Sequence, residues 1–145
     1  MKGRWGLSLL GAIALTACGP SKVEECTQIL NQIEANRQQH PLGTQTRAMM
    51  LQQATLNTQL AEQLTALPVQ DPQLQEYLEI LIAGYQNQAA ADRSHANFAG
   101  PDGTVSIRVG DTAREQAWQQ VQSQQRQAAN QTQLGYGQIM SYCAL

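Results

Sequence analysis

The stretch Asp71 to Phe98, DPQLQEYLEILIAGYQNQAAADRSHANF, carries apolar side chains at Leu74, Leu78, Leu81, Tyr85 and Ala89, a three- and four-residue spacing that lines one face of a helix. Asp71 followed by Pro72 marks its start. The carboxylate can cap free backbone N–H groups, and proline at the first helical position has no N–H to lose. Upstream, Met49, Leu56, Leu60, Leu64 and Leu67 form a second stripe over about Thr44 to Leu67, closed by Pro68. A further helix over about Lys22 to Gln39 uses Val23, Cys26, Leu30 and Ile33, with Ser21 as its cap. It ends at the run His40, Pro41, Leu42, Gly43.

Downstream, Ala99 to Asp111 predicts a long loop at about 99–111, with Gly100, Pro101, Asp102, Gly103 and Gly110 around one short extended stretch, Val105 to Val109. A lone strand makes no sheet. Thr112 with Glu115 reads as a T-x-x-E capping box that opens a last helix. Its inner face runs through Trp118, Val121, Ala128, Thr132, Ile139 and Cys143. Gly135 and Gly137, each about 1 kcal/mol less favourable than alanine in a helix interior, predict a kink or frayed turn. With one phenylalanine in the chain, the core must be aliphatic. Four helices with short first and second connections imply an all-α fold, an up-down-up-down four-helix bundle over 22–145. Both ends of that domain then lie at one end of the bundle.

Ahead of the helices, Lys2 and Arg4 precede an apolar run from Leu7 to Ala14, followed by Leu15, Thr16, Ala17 and Cys18. A basic segment, a short apolar segment and a small-residue cleavage site, in that order, make a secretory signal peptide. The run is shorter than the roughly 20 residues that span a bilayer. Leu15 to Cys18 resembles the lipobox of bacterial lipoproteins. The resemblance implies removal of residues 1–17, diacylglycerol on the Cys18 sulfur, acylation of the new amino terminus, and a lipidated tether over 18–21. Two or more acyl chains hold a protein stably on a membrane. The expected location is a bacterial membrane facing the periplasm, or the thylakoid lumen in a cyanobacterium.

The string Ser21, Lys22, Val23, Glu24, Glu25, Cys26, with the glutamine-rich helices, is similar to small uncharacterised cyanobacterial lipoproteins. The four-helix architecture resembles the PsbQ-like extrinsic proteins of photosystem II at the level of fold. No PsbQ-type binding residue maps onto this chain, and its cysteine pair departs from that pattern. With Cys18 assigned to lipid, Cys26 and Cys143 are the remaining cysteines of an exported chain, so a disulfide is the first reading. Two free buried thiols are the alternative. Cys26 falls in the first turns of the first helix and Cys143 in the last turn of the fourth, where an up-down bundle brings helix ends together.

Nine basic and eleven acidic residues give a formal charge of −2, and no basic stripe or aromatic stacking set points to nucleic acid. Charged residues make up 14% of the chain, against about 25% in ordinary domains, and glutamine takes their place on the polar faces. A surface solvated by amides repels neighbours weakly and suits lateral packing. His40, His95 and Asp92 fall in the distal half of an up-down bundle, where two imidazoles and a carboxylate are a metal-ligand combination; solvated helix-end histidines are the plainer reading. Met49 and Met50 read as core filling or as the lining of a small apolar cavity. No nucleophile motif accompanies the serines, histidines and aspartates, and no catalytic residue or cofactor is expected. The expected function is that of a membrane-anchored, non-catalytic scaffold or accessory subunit acting through contact with an unidentified protein. A periplasmic or lumenal carrier of a small ligand or metal is the alternative.

Overall fold

The computed structural model describes residues 20–43 and 45–144. The lipobox with Cys18, and Thr44, lie outside the described residues. Four helices follow in order: α1 (Lys22–Arg37), α2 (Arg47–Thr65), α3 (Pro72–Phe98) and α4 (Thr112–Cys143). Helix α3 packs against α2 and α4, and α1 packs against the same two, whereas the backbones of the diagonal pairs stay apart. The fold is therefore the expected all-α four-helix bundle.

Most helix starts are dictated locally. The Ser21 hydroxyl accepts the Glu24 N–H while the Glu24 carboxylate accepts the Ser21 N–H at 2.8 Å, a complete capping box. Thr46 caps α2, and Asp71 caps α3 by accepting the Leu74 N–H at 2.9 Å. For α4 the expected Thr112–Glu115 box does not form. Asp111, one position earlier, caps the helix by accepting the Arg114 N–H at 3.1 Å, which puts Thr112 at the first helical position. Helix α1 stops at Arg37 and α2 at Thr65, each two residues short of expectation. The extended stretch in the last loop reduces to a single bridge between Ala99 and Val105.

The main core is aliphatic: Ile29, Ile33, Leu60, Leu64, Leu74, Leu78, Leu81 and Ile139 are buried around Cys26. Burial of each such side chain stabilises the fold by about 1.5–3 kcal/mol. Cys26 and Cys143 form a disulfide with their Cα atoms 5.8 Å apart and a sequence separation of 117. A loop of that size is closed at a gain of about 4–5 kcal/mol in the chain-entropy model. This proximal end holds a second fastening that the apolar pattern hides. Glu25 is 2% exposed and Val23, expected on the inner face, is 68% exposed. The α2–α3 loop passes over the start of α1 and leaves two backbone N–H groups in need of an acceptor. The Glu25 carboxylate takes both, from Gln70 at 2.7 Å and Asp71 at 3.2 Å. Tyr142 donates to the other Asp71 carboxylate oxygen at 2.9 Å, and Lys22 lies 3.7 Å over the Tyr142 ring. These bonds, the Leu74 N–H first and the Tyr142 hydroxyl second, hold the Asp71 pKa below its ordinary value.

The glycines in α4 do not break it. The helix is continuous from Thr112 to Cys143, and Gly135 lies at a close approach of α3, as Gly84 of α3 does against Thr132. A Cβ at Gly135 would sit 2.7 Å from the backbone nitrogen of Leu81, whereas one at Gly137 would meet nothing. Alanine at Gly135 is therefore expected to destabilise the fold by about 1–3 kcal/mol through overpacking. The same change at Gly137 is expected to stabilise it by about 0.5–1 kcal/mol. Urea unfolding of the two variants checks the pair, and equal effects would refute the close α3–α4 approach.

Candidate functional site

The inner stripe of α3 changes character along its length. Leu74, Leu78, Leu81 and Tyr85 are followed, at the same spacing, by Gln88, Asp92 and His95. Opposite them, α2 turns Gln53 and Asn57 inward, and α4 contributes Gln125. The change coincides with the end of α1. Its 16 residues rise about 24 Å, against about 40 Å for the 27 of α3 and about 48 Å for the 32 of α4. One corner of the bundle therefore has no helix in the distal half, and aliphatic side chains there would face water.

A cavity of about 300 Å³ occupies this region, lined by His40, Gln45, Met50, Gln53, Asn57, Gln88, Asp92, His95 and Gln125. Asp92 is 8% exposed. It accepts the Asn57 amide at 3.2 Å and the Gln88 amide at 3.0 Å. Burial raises its pKa above the ordinary 3.8, against the lowering effect of those two bonds and of His95 and His40 nearby. His95 hydrogen-bonds through Nδ1 to the Gln125 amide at 2.9 Å and lies against Trp118, ring centroids 5.0 Å apart. Burial lowers its pKa below 6.5, with Asp92 pulling the other way. The second imidazole is tied to the end of α1. His40 Nε2 lies 3.0 Å from Asn36 Oδ1, and the Asn36 amide donates to the Leu56 carbonyl at 2.9 Å.

The structure thus brings His40, Asp92 and His95 to one cavity, though not into one coordination sphere. Among the described residues, no group of three histidine, cysteine, aspartate or glutamate side chains is placed to hold a metal ion. The amides that separate them, Asn57, Gln88 and Gln125, occupy the positions that further ligands would need. His95 is not a solvated helix-end residue either, being half-buried against Trp118. Met50 is buried with Ala96 and Ala99 and also lines the cavity, so it joins the two roles read for it. Asn57, Gln88 and Gln125 were not singled out from the sequence. The signal for them was a core stripe that turns polar without losing its period.

Above the cavity the two distal loops meet. Gly103, at φ +88°, lies so close to the Gln45 carbonyl that no side chain fits. Leu42 and Val109 project outward from this cap, Leu42 at 96% exposure and Val109 fully exposed.

Comparison with protein-family models, curated proteins and solved structures finds no match for this chain. The class it defines on its own geometry is a disulfide-closed four-helix bundle with a polar distal interior.

The two buried ionisable groups give opposite pH dependences. Asp92, with a raised folded-state pKa, costs no stability below 3.8 and costs progressively more as pH rises above it. His95, with a lowered folded-state pKa, costs stability as pH falls below 6.5. Relative to Asp92→Asn, the wild type is expected to lose stability as pH rises; relative to His95→Gln, it is expected to lose stability as pH falls. Urea unfolding from about pH 4 to about pH 8 measures both slopes, and a reversed sign in either removes burial as the controlling cause.

Proposed function

We propose that this chain is a lipoprotein anchored through acyl chains on Cys18, and that it acts as a non-catalytic scaffold or accessory subunit through protein contacts made at its distal end. The observation that supports this most is the molecule's polarity. The start of α1, four residues beyond Cys18, shares one end with the Cys26–Cys143 bridge and the Glu25 fastening. The two longest connections share the other end, packed on each other at Gly103 and presenting Leu42 and Val109 to solvent. A tether of three residues between Cys18 and Lys22 keeps the fastened end within about 14 Å of the lipid. It leaves the loop end reaching away from the membrane.

Rigid presentation suits this role, because exposed apolar side chains bind a partner at lower entropic cost when their backbone is already ordered. The distal loop is ordered from within: Gly100 and Thr104 pair through backbone at 2.8 Å, and Asp102 accepts both the backbone N–H and the hydroxyl of Thr104. The amide-rich helix surface adds little long-range repulsion against a neighbour.

Two measurements test the two halves of this reading. Cys18→Ala is expected to abolish incorporation of labelled fatty acid and to remove the chain from the membrane fraction; retained label would refute the anchor. Photo-crosslinking residues at Leu42 and Val109 are expected to give a discrete adduct in intact cells, and one at Glu76, on the exposed proximal part of α3, none. Equal adducts from both ends, or none from the distal end, would refute the contact surface.

A further inference from the structure

We propose that the distal cavity is a binding site for a small organic monocation carrying an ammonium or guanidinium group, with Asp92 as its counter-ion. A buried carboxylate is paired with a cation, binds one, or takes up a proton, because removal of an unpaired charge from water is costly. Asp92 is buried and, among the described residues, is in no salt bridge, although His95 and His40 lie near enough to act on its charge. Among the described residues the one salt bridge is Arg37 with Glu34, on the exposed face of α1. Arg93, one position along, points away to the Thr58 hydroxyl at 2.8 Å. The bonds that reach Asp92 come from the neutral amides of Asn57 and Gln88, one to each carboxylate oxygen. Each oxygen keeps a lone pair for a further donor.

The rest of the lining selects the class of ligand. Asn57, Gln88 and Gln125 line the cavity, and each amide that donates to Asp92 or His95 also carries a carbonyl oxygen that can accept a bond from a ligand beside the single negative charge. That is the complement of a group with several N–H donors and one positive charge. A sulfate or carboxylate would meet Asp92 repulsively. Among the described residues no three His, Cys, Asp or Glu side chains converge here to neutralise a divalent ion, and one carboxylate balances a single positive charge. The volume, about 300 Å³, lies at the small end of ligand pockets and admits a molecule of amino-acid size. His40 and Gln45, from the loop after α1, form the wall that is not helical, and they are the natural side for entry.

The test uses the full chain in detergent, with the side-chain amide resonances of Asn57 and Gln88 followed by NMR. Ethanolammonium and guanidinium ions, each at millimolar concentration, serve as cationic probes, and acetamide as the neutral one. Saturable shifts with at least one cation, absent with acetamide, are expected. Asp92→Asn is expected to weaken that affinity by roughly tenfold or more. Gln125→Glu, which adds a second carboxylate to the same cavity and does not depend on the Asp92 variant folding, is expected to tighten it. Absence of saturation with both cations would overturn the proposal. So would equal shifts with acetamide, unchanged affinity in both variants, or saturation by zinc or calcium without saturation by either organic cation. None of these outcomes bears on the lipid anchor or on the Leu42–Val109 surface, which have separate readouts.

Discussion

Helix α1 has half as many residues as α4, and most of what distinguishes this bundle follows from that inequality. A short helix buries little apolar area. Of its side chains, Cys26, Ile29 and Ile33 reach the main core, whereas α3 and α4 press together closely enough at Gly135 to exclude a Cβ. The three longer helices hold one another by packing. The fourth is held by chemistry at its ends: the Cys26–Cys143 bond and the Glu25 carboxylate at its start, the Asn36 amide on the Leu56 carbonyl near its finish. These are strong, localised links in place of distributed burial. They put α1 in register without a long apolar face.

The same shortness divides the interior into two regimes. Where all four helices run side by side, leucine and isoleucine fill the space between them. Beyond Arg37 the fourth wall is a loop, water has access, and the inward positions of α2, α3 and α4 become amide, carboxylate and imidazole. A polar interior of this kind stabilises less per residue than an aliphatic one, and Asp92 costs stability as pH rises above 3.8 and His95 as it falls below 6.5. The bundle tolerates it because the proximal half carries the burial and the covalent closure.

Under the proposed anchoring, the two halves also differ in what they face. The fastened half stands next to the lipid, and its links of bond, ring and carboxylate resist loads transmitted through the tether. The distal half faces outward with the cavity and the apolar pair Leu42 and Val109. Contact with a partner over the joined loops would lie directly above the His40 and Gln45 side of the cavity. Occupancy of the interior and engagement of the surface are thus neighbours in space, which is the condition for one to influence the other.

Much of the local physics was legible in the chain. Helix existence follows from apolar period, the Ser21 and Asp71 caps from the reach of a short oxygen-bearing side chain to the next turn, and the pairing of Cys26 with Cys143 from their places at helix ends that an up-down order brings together. What depends on a distant segment was not. Nothing near Glu25 announces that the N–H groups of Gln70 and Asp71 will need its carboxylate, so the apolar pattern points Val23 inward whereas the fold buries Glu25. Gly135 read as a flaw because its helix propensity is poor, and only the arrival of α3 made the missing side chain a requirement. Asp111 displaced Thr112 as a cap because the preceding loop turns back one residue sooner, with the Asp111 N–H on the Arg108 carbonyl. His40, Asp92 and His95 were named from residue type, yet the amides that join them into one polar cavity come from three helices. Their meeting is a matter of helix length and register, quantities that no single stretch of sequence contains. Sequence alone determined which segments are helices, where most begin and which cysteines can meet; tertiary structure decided which polar groups are buried together, because burial is a property of what another segment covers.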